Sequence, residues 1–314
     1  MTTPSAITGV ILLAMGGPET TADVPAYLYN IFSDRNIIRL PGGPLLQKPF
    51  ARMISRRRSA KVAGHYNLIG GGSPLHKWTE AQRAHLETVL TTDADPVRCY
   101  VAMRYVSPTV DSVVAQAYAD GCRTIYFLPM YPQYCRATTG SSFAEARKAL
   151  KSYPDVQAEF IDDFHENAGY ISLLREYIDA NIRPDETLLY SAHSIPRSFV
   201  DDGDPYVDQV KNTAALAASG REYFLSFQSR TGPVKWVGPD TVAETQRLLD
   251  LGRRIFVVPI SFVCDHIETL YEIDIELRQL TGAGDRLRRM PMFNDDPRLA
   301  SALAGSINVR RPEV

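Results

Sequence analysis

The 314-residue chain predicts an α/β protein built from two Rossmann-like units, each a four-stranded parallel sheet flanked by helices. Three observations carry this. Short β-rich apolar runs recur along the whole chain, amphipathic helical stretches separate them, and the runs divide into two groups of four near 161–168. No Gly/Ser-rich linker marks that midpoint, so the units are expected to pack tightly, as 1–165 and 166–293, with 294–314 returning onto the first.

Strands are read in order at 9–14, 98–104, 124–130, 157–161, 187–192, 222–228, 254–259 and 287–293. The run at 255–259, just before Cys264, is continuously apolar. Helical periodicity fills 79–90, 110–120, 143–151, 168–181, 204–218, 241–251 and 265–281, which makes the connections right-handed crossovers. One stretch breaks the alternation. Residues 31–61 are too long for a strand–helix loop, and they carry Ile37, Ile38, Leu40, Leu45, Leu46, Phe50, Met53 and Ile54 before Arg56-Arg-Arg-Ser-Ala-Lys61. They suit either a helix packed on its own domain or an apolar lip beside a ligand cleft, with the basic cluster meeting anionic ligand groups or lipid headgroups.

Composition narrows the class. A net charge of −2 and a pI near 6.3 supply no basic field for nucleic acid. No apolar run approaches the ~20 residues of a bilayer span, and the N-terminus lacks the features of a signal peptide. The four cysteines stand singly, without a CxxC pair. The expectation is a reduced, cytoplasmic, soluble protein.

Ligands of open α/β sheets sit outside the carboxyl ends of the strands, and polar segments follow six strands here: Met15-Gly-Gly-Pro18, Arg104-Tyr-Val-Ser-Pro108, Tyr131-Pro-Gln-Tyr-Cys-Arg-Ala-Thr-Thr-Gly140, His193, Gln228-Ser-Arg-Thr-Gly-Pro233 and Asp265-His-Ile-Glu268. Together they describe one interdomain cleft. Met15-Gly-Gly is not a dinucleotide loop, because Pro18 stands where the helix should open. Gly70-Gly-Gly-Ser-Pro74 lacks the Lys-Ser/Thr of a phosphate loop and reads as a turn before a helix. A nucleophile elbow is absent, and Cys264 beside His266 is poorly placed for a Cys–His pair.

As one α-helix, 265–281 would align Asp265, Glu268, Glu272 and Glu276 on one face, with Ile267, Leu270, Ile273 and Leu277 opposite. That stripe is either a solvated surface or a hydrated path for cations or protons beginning at His266 and Glu268. His193 and Glu268 have the chemistry for a borderline divalent cation or for a proton relay. His65, His76, His85 and His165 lie in helices or loops and are read as structural or exposed.

These segments carry a family resemblance. Ala14-Met-Gly-Gly-Pro-Glu19, Gly70-Gly-Gly-Ser-Pro-Leu75, Tyr131-Pro-Gln-Tyr134, Thr138-Thr-Gly-Ser-Ser142, Ser191-Ala-His-Ser-Ile-Pro196, Gly203-Asp-Pro-Tyr206, Gln228-Ser-Arg-Thr-Gly-Pro233 with Trp236, and Asp265-His-Ile-Glu-Thr-Leu-Tyr-Glu-Ile-Asp-Ile-Glu276 resemble ferrochelatase, in order over 10–293. The resemblance implies two chelatase-type domains and insertion of Fe2+ into a porphyrin, the last step of haem formation. It implies His193 and Glu268 as the metal-facing and proton-handling pair, and Asp265, His266, Glu272 and Glu276 as the polar path behind them. It also implies Met15, Arg104, Tyr105 and Tyr131 lining the opposite porphyrin face, and Arg58, Lys61 and Ser229 as candidates for the propionates. Animal-type members carry clustered C-terminal cysteines for an iron–sulfur cluster. This chain has none beyond Cys264, so no cluster and no other cofactor is expected, Fe2+ being a substrate. Methionine at position 15, where the coproporphyrin-using group has tyrosine, resembles the protoporphyrin group and points to protoporphyrin IX. The expected partners are those two substrates, no nucleic acid, and a transient membrane contact through the 31–61 lip. Two alternatives stay in view: a chelatase for another metal (cobalt or nickel) or another tetrapyrrole (coproporphyrin III), and a non-catalytic tetrapyrrole-binding protein.

Overall fold

The computed structural model describes residues 7–38, 40, 42–230, 232 and 234–307. Its first sheet holds β1 (Thr8–Ala14), β2 (Val97–Met103), β3 (Thr124–Pro129) and β4 (Gln157–Phe160) in the order β2-β1-β3-β4. The second holds β5 (Glu186–His193), β6 (Tyr223–Gln228), β7 (Arg254–Pro259) and β8 (Leu287–Arg289) in the order β6-β5-β7-β8. Every pairing is parallel. In each sheet the chain leaves its first strand to one side and returns to the other, so a switch point lies between β1 and β3 and again between β5 and β7. β1 and β5 are buried on both faces along nearly their whole length. Only a strand sandwiched between helix layers tolerates such a run as Gly-Val-Ile-Leu-Leu-Ala.

The helices are α1 (Val24–Ser33), α2 (Gly43–Leu68), α3 (Leu75–Leu90), α4 (Val110–Ala119), α5 (Ser141–Leu150), α6 (Ala168–Asn181), α7 (Arg197–Asp201), α8 (Tyr206–Ala218), α9 (Thr241–Asp250), α10 (Ile267–Leu270), α11 (Arg278–Thr281) and α12 (Pro297–Ala304). Two expectations are corrected. The last strand stops at Arg289 rather than 293, because Pro291 has no N–H to continue the ladder. The single helix expected at 265–281 is three pieces: α10, a π-helical turn over Glu272–Leu277, and α11. The Glu276 N–H reaches the Tyr271 carbonyl at 2.8 Å, an i→i+5 bond that adds a residue to the turn and rephases everything after it.

Residues 31–61 satisfy parts of both readings. α1 and α2 pack on each other around Val24, Leu28, Phe32, Ala51 and Tyr66. The buried Gln47 amide staples their connection, donating to the carbonyls of Phe32 (2.7 Å) and Ile38 (2.9 Å) and accepting from the Leu40 N–H. On the outer side of α2, Leu45 is 90% exposed, with Leu46 and Met53 also open to solvent. Lip positions 39 and 41 lie outside the described residues, as do 231 and 233 of the Gln228 loop and 308–314 of the returning C-terminal segment.

The two units share one core. A continuous cluster runs from Val10, Leu12 and Leu128 of the first sheet through Phe164 and Tyr170 to Phe256 and Val258 of the second. α12 packs on α3 and α6, binding the end of the second unit to a helix of the first. Among the described residues no helix is long and apolar enough to cross a membrane.

The 70–74 turn approaches the β1 loop so closely that the Ser73 N–H donates to the Pro18 carbonyl at 2.7 Å. A Cβ at Gly72 would sit 1.9 Å from the Glu19 carbonyl oxygen, a backbone atom that cannot swing away. Gly72→Ala is therefore expected to cost about 2 kcal/mol or more in urea unfolding. Unchanged stability would show that this approach is not tight.

Candidate functional site

The site begins with strand alternation. In Ser191-Ala-His193 at the end of β5, Ser191 and His193 share one face, while Ala192 is buried on the other. His193 lies in register with Gln228, the last residue of β6. Across the switch point, β7 leads to Glu268 in α10. His193 Nδ1 and Glu268 Oε2 are 2.6 Å apart. A carboxylate only accepts, so the ring proton sits on Nδ1 and Nε2 keeps its lone pair, with no protein partner among the described residues. A hydrogen bond to a charged partner contributes ~1.5–3 kcal/mol. Here His193 is 39% accessible, and screening holds the value to the low end.

A second layer fixes the carboxylates. Ser191 Oγ donates to Gln228 Oε1 at 2.7 Å, which turns the Gln228 amide so that Nε2 donates to the Glu268 carbonyl (3.0 Å) and to Glu272 Oε2 (3.2 Å). Ser229, in a left-handed conformation at φ 66, places its hydroxyl on both Glu272 Oε2 and Glu268 Oε2. Two acids thus share one recessed place, and they titrate apart. The pull of His193, then of His266 and the Ser229 hydroxyl, outweighs burial and holds Glu268 far below the usual carboxylate range, at about 2. Burial, then the charge of Glu268, pushes Glu272 up to about 7. Burial alone would lower His193, but Glu268 more than reverses this and leaves the imidazole above its ordinary value. His266 is lowered, chiefly by burial. Its Nε2 lies 3.9 Å from Glu268 Oε1, and Phe262 meets its ring edge-on.

The structure separates the acids that the helical stripe aligned. Glu268 and Glu272 are joined through Ser229. Glu276 lies near the end of the π turn, within 3.4 Å of the Tyr271 hydroxyl, and Tyr271 stacks on His65 of α2 at 4.0 Å. Asp265 turns the other way and pairs with Arg289 at 3.0 Å, so a cation does reach that acid. Burial raises the Cys264 thiol strongly, which removes it as a nucleophile.

On the first unit, Met15 is half-buried directly after β1, and its carbonyl accepts the Tyr105 N–H. Arg104 and Tyr105 are not free to face a ligand with their polar ends. Asp34 Oδ2 takes Arg104 Nη2 at 2.8 Å, the Tyr105 hydroxyl at 2.7 Å and the Ser141 hydroxyl at 2.6 Å. Burial opposes the Asp34 charge, yet these donors hold its carboxyl below the ordinary value. Tyr131 has a buried hydroxyl without a protein partner among the described residues. Arg58 and Lys61 are exposed on α2, with Arg58 stacked over Phe32. The Ser229 hydroxyl is occupied by the two glutamates rather than open to a propionate.

Residue-by-residue reading missed Tyr27, Tyr66 and His65. Burial raises both phenols, and the Glu268 charge adds to this, after that of Tyr27 in the case of Tyr66; Ile267, beside Glu268 in α10, packs into the α1–α2 cluster. The spacing Arg58, Lys61, His65 on one face of α2 was the available signal. Among the described residues no group of three His, Cys, Asp or Glu side chains is arranged to hold a metal. His193 Nδ1 is committed to Glu268, which leaves Nε2 as the nitrogen open to the cleft, an arrangement suited to accepting a proton.

Comparison with known proteins adds independent support. The family description Ferrochelatase matches residues 7–310. A ferrochelatase of Geotalea daltonii is 44% identical over 312 residues, spanning 95% of this chain and 96% of that protein. The ferrochelatase of Geobacter metallireducens is 41% identical over 310 residues, spanning 95% and 96%. Among solved structures, SirB from Bacillus subtilis with Fe3+ superposes with a TM-score of 0.56 at 13% identity, covering 95% of this chain and 93% of that one. CbiX, the terminal enzyme of sirohaem biosynthesis in denitrifying bacteria, gives 0.52 at 14%, covering 97% and 99%. At such identities the two structures speak for the fold alone.

Glu272 gives a test of the electrostatics. A carboxyl raised from 4.5 to about 7 on folding is stabilised while protonated. As pH rises through that window the unfolded chain ionises first, and stability falls. Glu272→Gln should therefore be more stable than the parent at about pH 8, with the difference vanishing near pH 4, in urea titrations at both values. A variant less stable than the parent at the higher pH would mean that Glu272 is held ionised.

Proposed function

The chain belongs to the ferrochelatase family, and from that premise we propose that it inserts Fe2+ into protoporphyrin IX, with His193 as the pyrrole base. It is a metal chelatase of haem biosynthesis acting on a porphyrin and a metal. The choice of protoporphyrin is supported by Met15, and the base by the single observation that carries the reading, the 2.6 Å contact of His193 with Glu268.

Insertion removes two pyrrole protons as the divalent cation enters, so the site must accept two protons and return them to water. The unprotonated Nε2 of His193 takes a pyrrole proton, and the Glu268 carboxylate on Nδ1 stabilises the imidazolium that results. Glu272 titrates near neutrality and is linked to Glu268 through Ser229, so it is matched to receive a proton. Glu276, near the end of the π turn and half-exposed, is the outlet. A porphyrin held between the α1–α2 side and the His193 side lies against half-buried Met15 and Tyr131, while Arg58 and Lys61 offer charge to its propionates. The four cysteines are unpaired, buried and scattered over separate elements, which supports a chain without an iron–sulfur cluster and a reducing cytoplasmic setting. Acid-labile sulfide in the purified protein would refute the former, and fractionation with the membrane pellet after a high-salt wash the latter.

An anaerobic fluorescence assay of free porphyrin consumed on adding Fe2+ tests the reading. Protoporphyrin IX should turn over faster than coproporphyrin III, and Fe2+ faster than cobalt or nickel. His193→Ala should abolish insertion while porphyrin affinity stays within about tenfold, ~1.4 kcal/mol. Because the base must be unprotonated, kcat should rise with pH through a value above 6.5, and Glu268→Gln should move that rise to lower pH. Near-parent turnover in His193→Ala would remove His193 from the mechanism.

The outer face of α2, with Leu45, Leu46 and Met53 exposed among Lys48, Arg52, Arg56 and Arg57, supports transient contact with an anionic membrane surface. Co-sedimentation with vesicles containing anionic phospholipid should be lost on Leu45→Glu with Leu46→Glu, with turnover of dissolved porphyrin retained. Equal sedimentation of parent and variant would exclude this contact.

A further inference from the structure

We propose that Asn294, between β8 and α12, is a positioning residue for metal insertion, fixing Asp265 and through it the first turn that carries His266 and Glu268. The inference rests on metal insertion being the activity.

Both ends of the Asn294 side chain are committed to Asp265. Its Oδ1 accepts the Asp265 backbone N–H at 2.8 Å, and its Nδ2 donates to Asp265 Oδ2 at 2.8 Å. The orientation of the amide is forced, because an N–H can only donate and an ionised carboxylate can only accept. The backbone of Asn294 is equally committed. Its N–H reaches the Val263 carbonyl at 3.3 Å, and its carbonyl takes Gln82 Nε2 at 2.8 Å. Its φ is +49, in the left-handed region where asparagine is among the few tolerated residues. Gln82 belongs to α3 of the first unit and is 3% exposed, its Oε1 without a partner among the described residues. The bond to Asn294 is thus the polar tether of a buried amide that crosses between units.

From Asp265 the order continues into the site. Its Oδ1 accepts the Thr269 hydroxyl at 3.0 Å, and that oxygen accepts the His266 backbone N–H at 3.0 Å. Arg289 also holds Asp265 Oδ1, while its other nitrogen binds Asp274 at 2.8 Å. The carboxylate is therefore held at one oxygen by Arg289 and at the other by Asn294. Loss of Asn294 leaves its charge compensated but lets it rotate about the arginine. The fold should survive. The register of α10 should not, and with it the placement of His266 and Glu268.

The test uses full-length protein in the Fe2+ insertion assay, with Asn294→Gly, which keeps the left-handed backbone and removes only the side chain. Turnover should fall about tenfold or more, as displacements of this kind do, while porphyrin affinity by fluorescence and the thermal midpoint stay near the parent's. Asn294→Asp should fare no better, because it keeps the acceptor for the N–H but sets a carboxylate against Asp265 Oδ2. Introduced into Asp265→Asn, Asn294→Gly should add little, since both act through one contact. Parent turnover measures the proposed activity itself, and the variant-to-parent ratio measures this inference. Full turnover in Asn294→Gly, full turnover in Asn294→Asp, or a loss that follows a large fall in thermal midpoint and in porphyrin binding alike would each overturn the positioning role.

Discussion

Two carboxylates and an imidazole in one recessed place is the constraint that organises the second unit. Glu268 and Glu272 cannot both be ionised there at low cost, because like charges share one hydroxyl in a recessed site. The conflict is settled by His193, which stabilises one acid as an anion and leaves the other to titrate near neutrality. The supporting residues follow from that settlement. Ser191 exists to turn Gln228, Gln228 to hold Glu272 and the Glu268 backbone, and Ser229 to bridge the pair. They come from β5 and the end of β6 while the glutamates follow β7, so they meet only because the order β6-β5-β7-β8 places β5 between its two partners.

The central strands were legible because they are short, largely apolar runs buried on both faces. His193 and Glu268 were legible as polar residues at strand ends. Legibility failed where two side chains compete for one partner. Ser229 reads as a candidate for a propionate, yet two glutamates claim its hydroxyl. Tyr105 and Arg104 read as cleft residues, yet Asp34, from the end of α1, takes both. Asp265 reads as one step of a ladder, yet Arg289 from β8 draws it aside. In each case the decisive partner lies at least two dozen residues away in the chain, beyond any local periodicity.

The π turn shows a different limit. Two of its apolar residues, Ile273 and Leu277, keep the four-residue spacing of an α-helix, and both are buried as that spacing predicts. Hydrophobic pattern therefore cannot distinguish the two windings. What differs is the far side. The i→i+5 bond from Glu276 to Tyr271 moves Glu276 out of line with Glu272 and leaves Tyr271 against His65. An uninterrupted ladder of like charges at i,i+4 spacing would carry a penalty at every step. The wider turn relieves one of those steps and converts a stripe into a pair and an outlying acid.

That outlying acid lies where the two units meet. His65 is lowered chiefly by burial, and the nearby Lys61 and Arg58 reinforce the effect while Glu276 opposes it. The α2 face therefore sets cations opposite an anion beside a stacked His65–Tyr271 pair. Such a boundary is polar at its rim and aromatic at its contact, so it can hold α2 over the cleft without the commitment of a fully buried core. The opposite boundary is built differently. There Gln133 and Gln209 bind backbone across the units, and the cluster through Phe164 and Tyr170 is continuous. Buried apolar contact of that kind resists separation, at ~1.5–3 kcal/mol for each enclosed large side chain. The molecule is thus fastened on one side and only latched on the other.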